Sequence, residues 1–205
     1  MGRFSANLCF ELWAKYDRDT NSAHPLVCHM LDSGYVFAAI WEEVLTQACK
    51  NTFQSLFGHE EEQTKNILHF LVSLHDIGKA SPAFQSSIPE IKLQLEESGL
   101  VFPKRSHYSP QRHDLVSLWI LRSLFAETNF CSSDDANALS SVLGGHHGFF
   151  HTPTEIRSPH SLTNLGDGDW REMQKQLFNT LNDLLDPTHP FSLKSKVDEK
   201  QPALV

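Results

Sequence analysis

The stretch Leu74-His75-Asp76-Ile77-Gly78-Lys79 puts two metal-ligand side chains on neighbouring backbone positions at the end of an apolar run. Before it, Ile67, Phe70, Leu71 and Leu74 recur at helical spacing and predict a helix from Thr64 to about Lys79. His75 and Asp76 continue that buried stripe and its edge. An imidazole and a carboxylate left unpaired in a core each carry a large desolvation penalty. A divalent metal would satisfy both at once, because imidazole nitrogen and carboxylate oxygen both suit transition metals. Lys79 follows Asp76 by three positions, so ammonium and carboxylate can meet on one side of the helix. Ser81-Pro82 ends the segment.

Further inward-facing histidines lie on other predicted helices. His24-Pro25 opens a helix that runs from Leu26 to about Cys49, on which His29 shares a face with Ser33, Val36 and Ile40. Asp32 lies one turn from His29, placed either to hydrogen-bond it or to stay solvated. Ser109-Pro110 starts a helix to about Glu127, with His113 on the face of Val116, Ser117, Ile120 and Leu124. Ser132 or Ser133 caps a shorter helix ending at Gly144-Gly145, and His146-His147-Gly148 follows directly. Four separate elements that each turn ligands inward form the pattern of a metal site inside a helical bundle. His24 reads as a capping or surface group. His59, His69, His107, His151, His160 and His189 fall in loops or on less clearly buried faces.

A last amphipathic helix, Asp169 to about Leu185, carries Trp170, Met173, Leu177, Leu181 and Leu184 on its apolar face and stops at Asp186-Pro187. No stretch shows strand alternation and none repeats at a fixed period. The fold class predicted is all-α, a helical bundle with a metal site between helices. One domain is expected over 1–190, with a tail, 191–205, too poor in apolar residues to pack.

Bulk properties narrow the function. No run approaches the roughly eighteen apolar residues that suggest a membrane span, and the N-terminus lacks a signal-peptide pattern. Cys9, Cys28, Cys49 and Cys131 have no Cys-x-x-Cys spacing and read as reduced thiols of a cytoplasmic protein. A net charge of −8 gives no general attraction for nucleic acid. A nucleic-acid substrate would need a local grip or a partner to deliver it. Twelve histidines in 205 residues is the unusual figure, and their placement carries the argument.

The ordered set His29, His75-Asp76, Lys79, His113 and His146-His147 resembles the HD phosphohydrolase superfamily. Finer features point to one branch. Trp13-Ala14-Lys15, His24-Pro25-Leu26 with His29 and Asp32, the phrase from Leu74 to Lys79 followed by Phe84-Gln85, Arg112-His113 and Gly145-His146-His147-Gly148 are similar to the HD nuclease domain of the CRISPR-associated nuclease–helicase of type I systems. The resemblance spans about residues 13 to 148. It implies an HD-domain helical bundle holding two divalent transition-metal ions (Mn, Fe, Co or Ni, with Mg or Zn also admissible). Asp76 would bridge the ions, His29 and His75 would complete one site, and His113, His146 and His147 the other. Asp76 and Lys79 become the catalytic residues, with Lys79 near the scissile phosphate. That family ends its pattern with an aspartate before a tryptophan on a late helix. Here no such pair follows Asp169-Trp170, which comes too early, so the chain reads as a fragment cut before its last ligand.

The function implied is metal-dependent endo- and exonucleolytic hydrolysis of single-stranded DNA in CRISPR interference. Its implied partners are a helicase domain, in the same or a separate chain, and an RNA-guided surveillance complex; no membrane is involved. Lys104, Arg105 and Arg112 form a basic segment that could guide the strand. Two other readings stay open, an HD phosphohydrolase of nucleotides or cyclic nucleotides and a non-catalytic metal-binding docking module.

Overall fold

A computed structural model of the chain describes residues 8–103, 112–157, 165–187 and 190–194. Lys104, Arg105, His107, Ser109, Pro110, His160 and His189 lie outside those residues. The elements are α1 (Leu8–Glu11), β1 (Trp13–Asp17), β2 (Ser22–Pro25), α2 (Leu26–Glu43), α3 (Gln47–Phe57), α4 (Glu61–Ser73), a 3₁₀ turn (Ile77–Lys79), α5 (Pro82–Gln85), α6 (Pro89–Glu97), α7 (His113–Glu127), α8 (Ser133–Gly144), α9 (Pro153–Arg157) and α10 (Asp169–Leu185). The HD-type helical bundle holds. Among the described residues it is joined by the antiparallel hairpin β1–β2 and an isolated parallel bridge between Cys131 and Phe191. The hairpin register slips between Trp13 and Lys15, which lets Trp13 and Ala14 be buried in succession and erases the period-two signal of a regular strand.

The helix predicted from Leu26 to Cys49 is two helices. Thr46 adopts extended backbone and its hydroxyl accepts from the Cys49 N–H at 3.4 Å, capping α3. The face assigned to the core on α2 is also corrected. Leu26, Val27, Met30, Gly34 and Trp41 are the buried residues, whereas Val36 and Ile40 face solvent. Gly34 is the point of close approach to α4. A Cβ there would lie 2.0 Å from Ser73 Oγ. This contact sets His29, a turn earlier, against the C-terminal end of α4.

Around Phe70 the core becomes aromatic. Phe130 and Phe178 pack on it with ring centroids 5.1 and 5.2 Å away, and Phe125 stacks on Phe130. Helix α10 contributes Trp170, Met173, Leu177, Phe178 and Leu181, but Leu184 is exposed. The tail drawn from 191 does not begin as one. Phe191 is buried against Phe57 and Phe130, and the Lys194 N–H donates to Leu56 O at 2.8 Å.

Glu127 ties α7 to α10 by accepting from Arg171 at 2.5 Å and Lys175 at 2.9 Å. The Lys175 hydrogen bond first, and those of Arg171 and Ser123 after it, lower its carboxyl to about 2 against the opposing effect of burial. A depressed carboxyl stabilises the fold above the unfolded value of about 4.3, and that contribution disappears as pH falls through the folded value. Glu127→Gln should therefore flatten the acid limb of a Tm-against-pH curve between those two values. With the carboxylate well exposed, the effect at neutral pH should stay at or below about 1 kcal/mol.

Candidate metal centre

Asp76 sits where α4 has already ended. The helix predicted to continue to Lys79 stops at Ser73, because Leu74 N–H turns back to both Phe70 and Leu71 carbonyls, tightening the last turn. His75 and Asp76 therefore occupy the bend before the 3₁₀ turn, with Asp76 at φ −101°, ψ 15°. A bend lets both side chains face one cavity, which consecutive residues of a straight helix cannot do as well.

The Asp76 carboxylate is buried and its two oxygens face different partners. Oδ2 accepts from Lys79 Nζ at 2.7 Å and lies 2.9 Å from His29 Nε2 and 3.3 Å from His75 Nε2. Oδ1 lies 3.3 Å from both His113 Nε2 and His146 Nε2. His147 Nε2 is 2.8 Å from His113 Nε2. Among the described residues, His29, His75 and Asp76 form one group with ligand atoms within 4.8 Å of one another, and His113, His146 and His147 form a second. Asp169, at the start of α10, joins neither group.

Several contacts hold these side chains in place. Gly78 carries the 3₁₀ turn so close to α7 that a Cβ would lie 2.1 Å from His113 O, and its N–H donates to Ser117 Oγ at 2.8 Å. Gln85 is fully buried; its amide donates to Trp13 O at 2.9 Å and Lys79 O at 2.8 Å, while its Oε1 accepts from Trp13 N–H. Gln174 donates to Ala80 O at 2.9 Å from the other side. His75 Nδ1 lies 3.0 Å from Val72 O, and His146 Nδ1 2.7 Å from Leu143 O. A carbonyl can only accept, so both rings carry a proton on Nδ1, which leaves the inward-facing Nε2 as the atom each would offer a metal.

These donors fit a metal ion. Asp76 Oδ1 and His146 Nε2 are buried without a hydrogen-bond partner, an arrangement that folded proteins avoid unless something else meets those atoms. Burial alone would raise the Asp76 carboxyl, but the imidazoles of His113, His146, His29 and His75 ranged around it hold it far below the usual range. Burial likewise disfavours the charged form of His146, but Asp76 and the Leu143 carbonyl raise its pKa. Desolvation and the neighbouring His146 and His113 lower that of His147. The carboxylate is thus held in its ionised form, with Lys79 on Oδ2 and imidazoles around both oxygens.

Other residues play parts different from those read in the sequence. Asp32 pairs with His24 Nε2 at 2.9 Å rather than with His29. His151, read as a loop histidine, is packed beneath α8, 3.1 Å from Gly144 O and 3.7 Å from Asp114 Oδ2. Arg112, read as a phosphate guide, forms a tight ion pair with Asp114, which is fully buried. Gln85 escaped notice as more than a motif neighbour, since a lone glutamine after Pro82 resembles any surface residue.

The family model for the HD domain of Cas3 matches residues 13–205. The chain belongs to the Cas3 HD-domain family. It is 33% identical over 168 residues to the CRISPR-associated endonuclease/helicase Cas3 of Thermus thermophilus, a match covering 81% of this chain and 17% of that protein. A crystal structure of a CRISPR-associated protein shares the fold with a TM-score of 0.79 at 30% identity, over 94% of this chain and 20% of the other. The Thermus thermophilus Cas3 HD domain, crystallised in the presence of Ni²⁺, aligns with a TM-score of 0.61 at 26% identity, over 91% of this chain and 68% of that one. The chain spans less than a fifth of the length of the curated Cas3 relatives it matches. No helix among the described residues is long and apolar enough to cross a membrane.

Proposed function

We propose that this Cas3 HD domain is a metal-dependent nuclease acting on single-stranded DNA in type I CRISPR interference, working with a helicase region and an RNA-guided surveillance complex. One observation carries the reading: the two oxygens of Asp76 face two separate sets of imidazoles. That is the donor arrangement of a bridging carboxylate. Asp76 would be shared, His29 and His75 would hold one ion, and His113, His146 and His147 the other. Mn, Fe, Co and Ni suit such donors, and Mg or Zn is admissible. Two such ions, when bound, supply Lewis acidity for phosphodiester hydrolysis and make water a competent nucleophile near neutral pH.

The chain's own residues do the rest. Asp76 stays ionised, and the anchored Nδ1 protons of His75 and His146 keep both rings aimed inward without reorganisation. Lys79 sits 2.7 Å from Asp76 Oδ2 with its ammonium 5.5 Å over the Phe84 ring, at the edge of the centre. From there it can donate to a non-bridging phosphate oxygen as charge gathers on it. The acidic surface leaves delivery of the strand to partners.

With Mn²⁺ or Co²⁺ the purified chain should shorten a single-stranded oligonucleotide, and chelation should stop it. A parallel panel of deoxynucleoside triphosphates and cyclic dinucleotides tests the substrate class. Turnover of that panel alone would replace the nuclease with a nucleotide hydrolase. Metal found by elemental analysis with hydrolysis of neither class would make the domain a docking module.

A further inference from the structure

Beside the second ligand group lies a pocket of about 400 Å³ lined by Arg112, His113, Asp114, His147 and Phe149. After the paired histidines the chain turns at Gly148, with φ 83°, and presents Phe149 and Phe150 to solvent, 67% and 72% exposed. Adjacent exposed aromatic side chains next to a functional centre mark a contact surface. The Arg112 guanidinium lies over the Phe149 ring, 5.6 Å from its centroid. Arg112 is itself fixed, since Nε donates to Asp114 Oδ1 at 3.1 Å and Nη2 pairs with Oδ2. Asp114 in turn accepts from the Leu115 N–H at 2.9 Å.

This changes what Arg112 can do. Its charge is offset by a buried carboxylate, so it is poorly suited to clamp a phosphate. It is well suited to hold an aromatic ring at a set attitude. We propose that Phe149 is a stacking platform for one unpaired nucleobase of a single strand, with Arg112 the positioning residue behind it. The proposal rests on the nuclease reading of the neighbouring centre. A flat apolar ring accepts any base face and discriminates little among sequences. The Asp114 carboxylate disfavours a phosphate in the same pocket. Since His113 and His147 line it, a base seated here leaves its own backbone beside the ligand group. A base in a duplex is already stacked on both sides, so the platform favours single strands.

The test is equilibrium binding of a fluorescent single-stranded oligonucleotide to the full chain, with chelator present so that nothing is cut. An abasic strand of the same length is the comparison. The wild-type chain should bind the intact strand roughly 5- to 100-fold tighter than the abasic one. Phe149→Ala should bind both alike, and Phe149→Trp should keep the preference. Arg112→Lys retains the charge beside Asp114 but loses the flat guanidinium. It should weaken binding of the intact strand while leaving that of the abasic strand unchanged, whereas loss of a bidentate phosphate clamp would weaken both strands alike. Equal binding of the two strands by the wild type, a preference that survives Phe149→Ala, or an equal weakening of both strands by Arg112→Lys would each overturn the assignment. If the preference behaves as stated but the Mn²⁺ assay shows no cutting, the nuclease reading fails and the platform stands. Cutting without any base preference would remove the platform and leave the nuclease reading intact.

Discussion

Replacing Asp76 by alanine is expected to lower metal-dependent DNA hydrolysis by about a thousandfold or more, and also to destabilise the metal-free protein. The first effect follows from geometry. Asp76 is the residue on which both imidazole sets converge, with His29 and His75 on Oδ2 and His113 and His146 on Oδ1. Losing any one histidine leaves the other set whole, but losing Asp76 removes a donor from both. The second effect follows from Lys79. Its ammonium is mostly buried and its one carboxylate partner among the described residues is Asp76. Removing one member of a buried pair typically costs about 3–5 kcal/mol, because the other charge stays behind. Each kcal/mol lowers Tm by roughly 2–4 °C in a domain of this size, so differential scanning fluorimetry in chelator should read a clear drop. The double variant Asp76→Ala, Lys79→Met removes both charges, with Met close to the volume of Lys79. It should recover much of the Tm and none of the hydrolysis. Cutting that survives in Asp76→Ala would point to a contaminating nuclease or to a different site in the chain. An unchanged Tm would mean that Lys79 reaches solvent once its partner is gone.

Short-range pattern carried most of the helices and picked out the side chains that meet around Asp76, and long-range contact decided the rest. Ile67, Phe70, Leu71 and Leu74 are all buried, as their spacing predicts. Each of the six candidate ligand positions is a residue type that a core does not otherwise want, and so each stands out in a sequence. The bend at His75-Asp76 does not, because nothing in local propensity opposes helix there before Gly78. Thr46 was a legible cap that the apolar periodicity around it outweighed. Val36 and Ile40 lie on the solvent side of α2, since the interior of α2 was decided by where Gly34 meets Ser73, a contact between helices. Gln85 and Gln174 illustrate the same limit. Both are buried and hydrogen-bond backbone carbonyls around the turn that carries Lys79, yet as isolated glutamines they resemble surface residues. Arg112 was legible as a charge, but its partner Asp114 was not legible as buried. That pairing turns an expected phosphate contact into a support for Phe149.

Gly78→Ala is the change whose consequence should reach furthest beyond its size. A Cβ at this position would sit 2.1 Å from His113 O and 2.5 Å from Ser117 N. Both are backbone atoms of the first turns of α7 and cannot rotate aside. Either the 3₁₀ turn or the start of α7 must move, and the 2.8 Å hydrogen bond from Gly78 N–H to Ser117 Oγ is lost with the movement. Overpacking of about 1–3 kcal/mol and a buried donor left unmet at a further 1–3 kcal/mol predict a total of about 2–6 kcal/mol. The same movement separates Asp76, two residues away, from His113 on the opposing element. A displacement of about 1 Å at a reacting centre can cost a hundredfold in rate, so hydrolysis should fall even at temperatures where the variant is folded. Ser117→Ala supplies the control. It removes the Oγ atom that lies 2.7 Å from the added Cβ but leaves the His113 carbonyl in place. If backbone contact sets the penalty, Gly78→Ala, Ser117→Ala should melt no higher than Gly78→Ala alone. A double variant that regains wild-type Tm would instead place the conflict on the Ser117 side chain, and the bend that carries His75 and Asp76 would then owe its position to something other than the contact at Gly78.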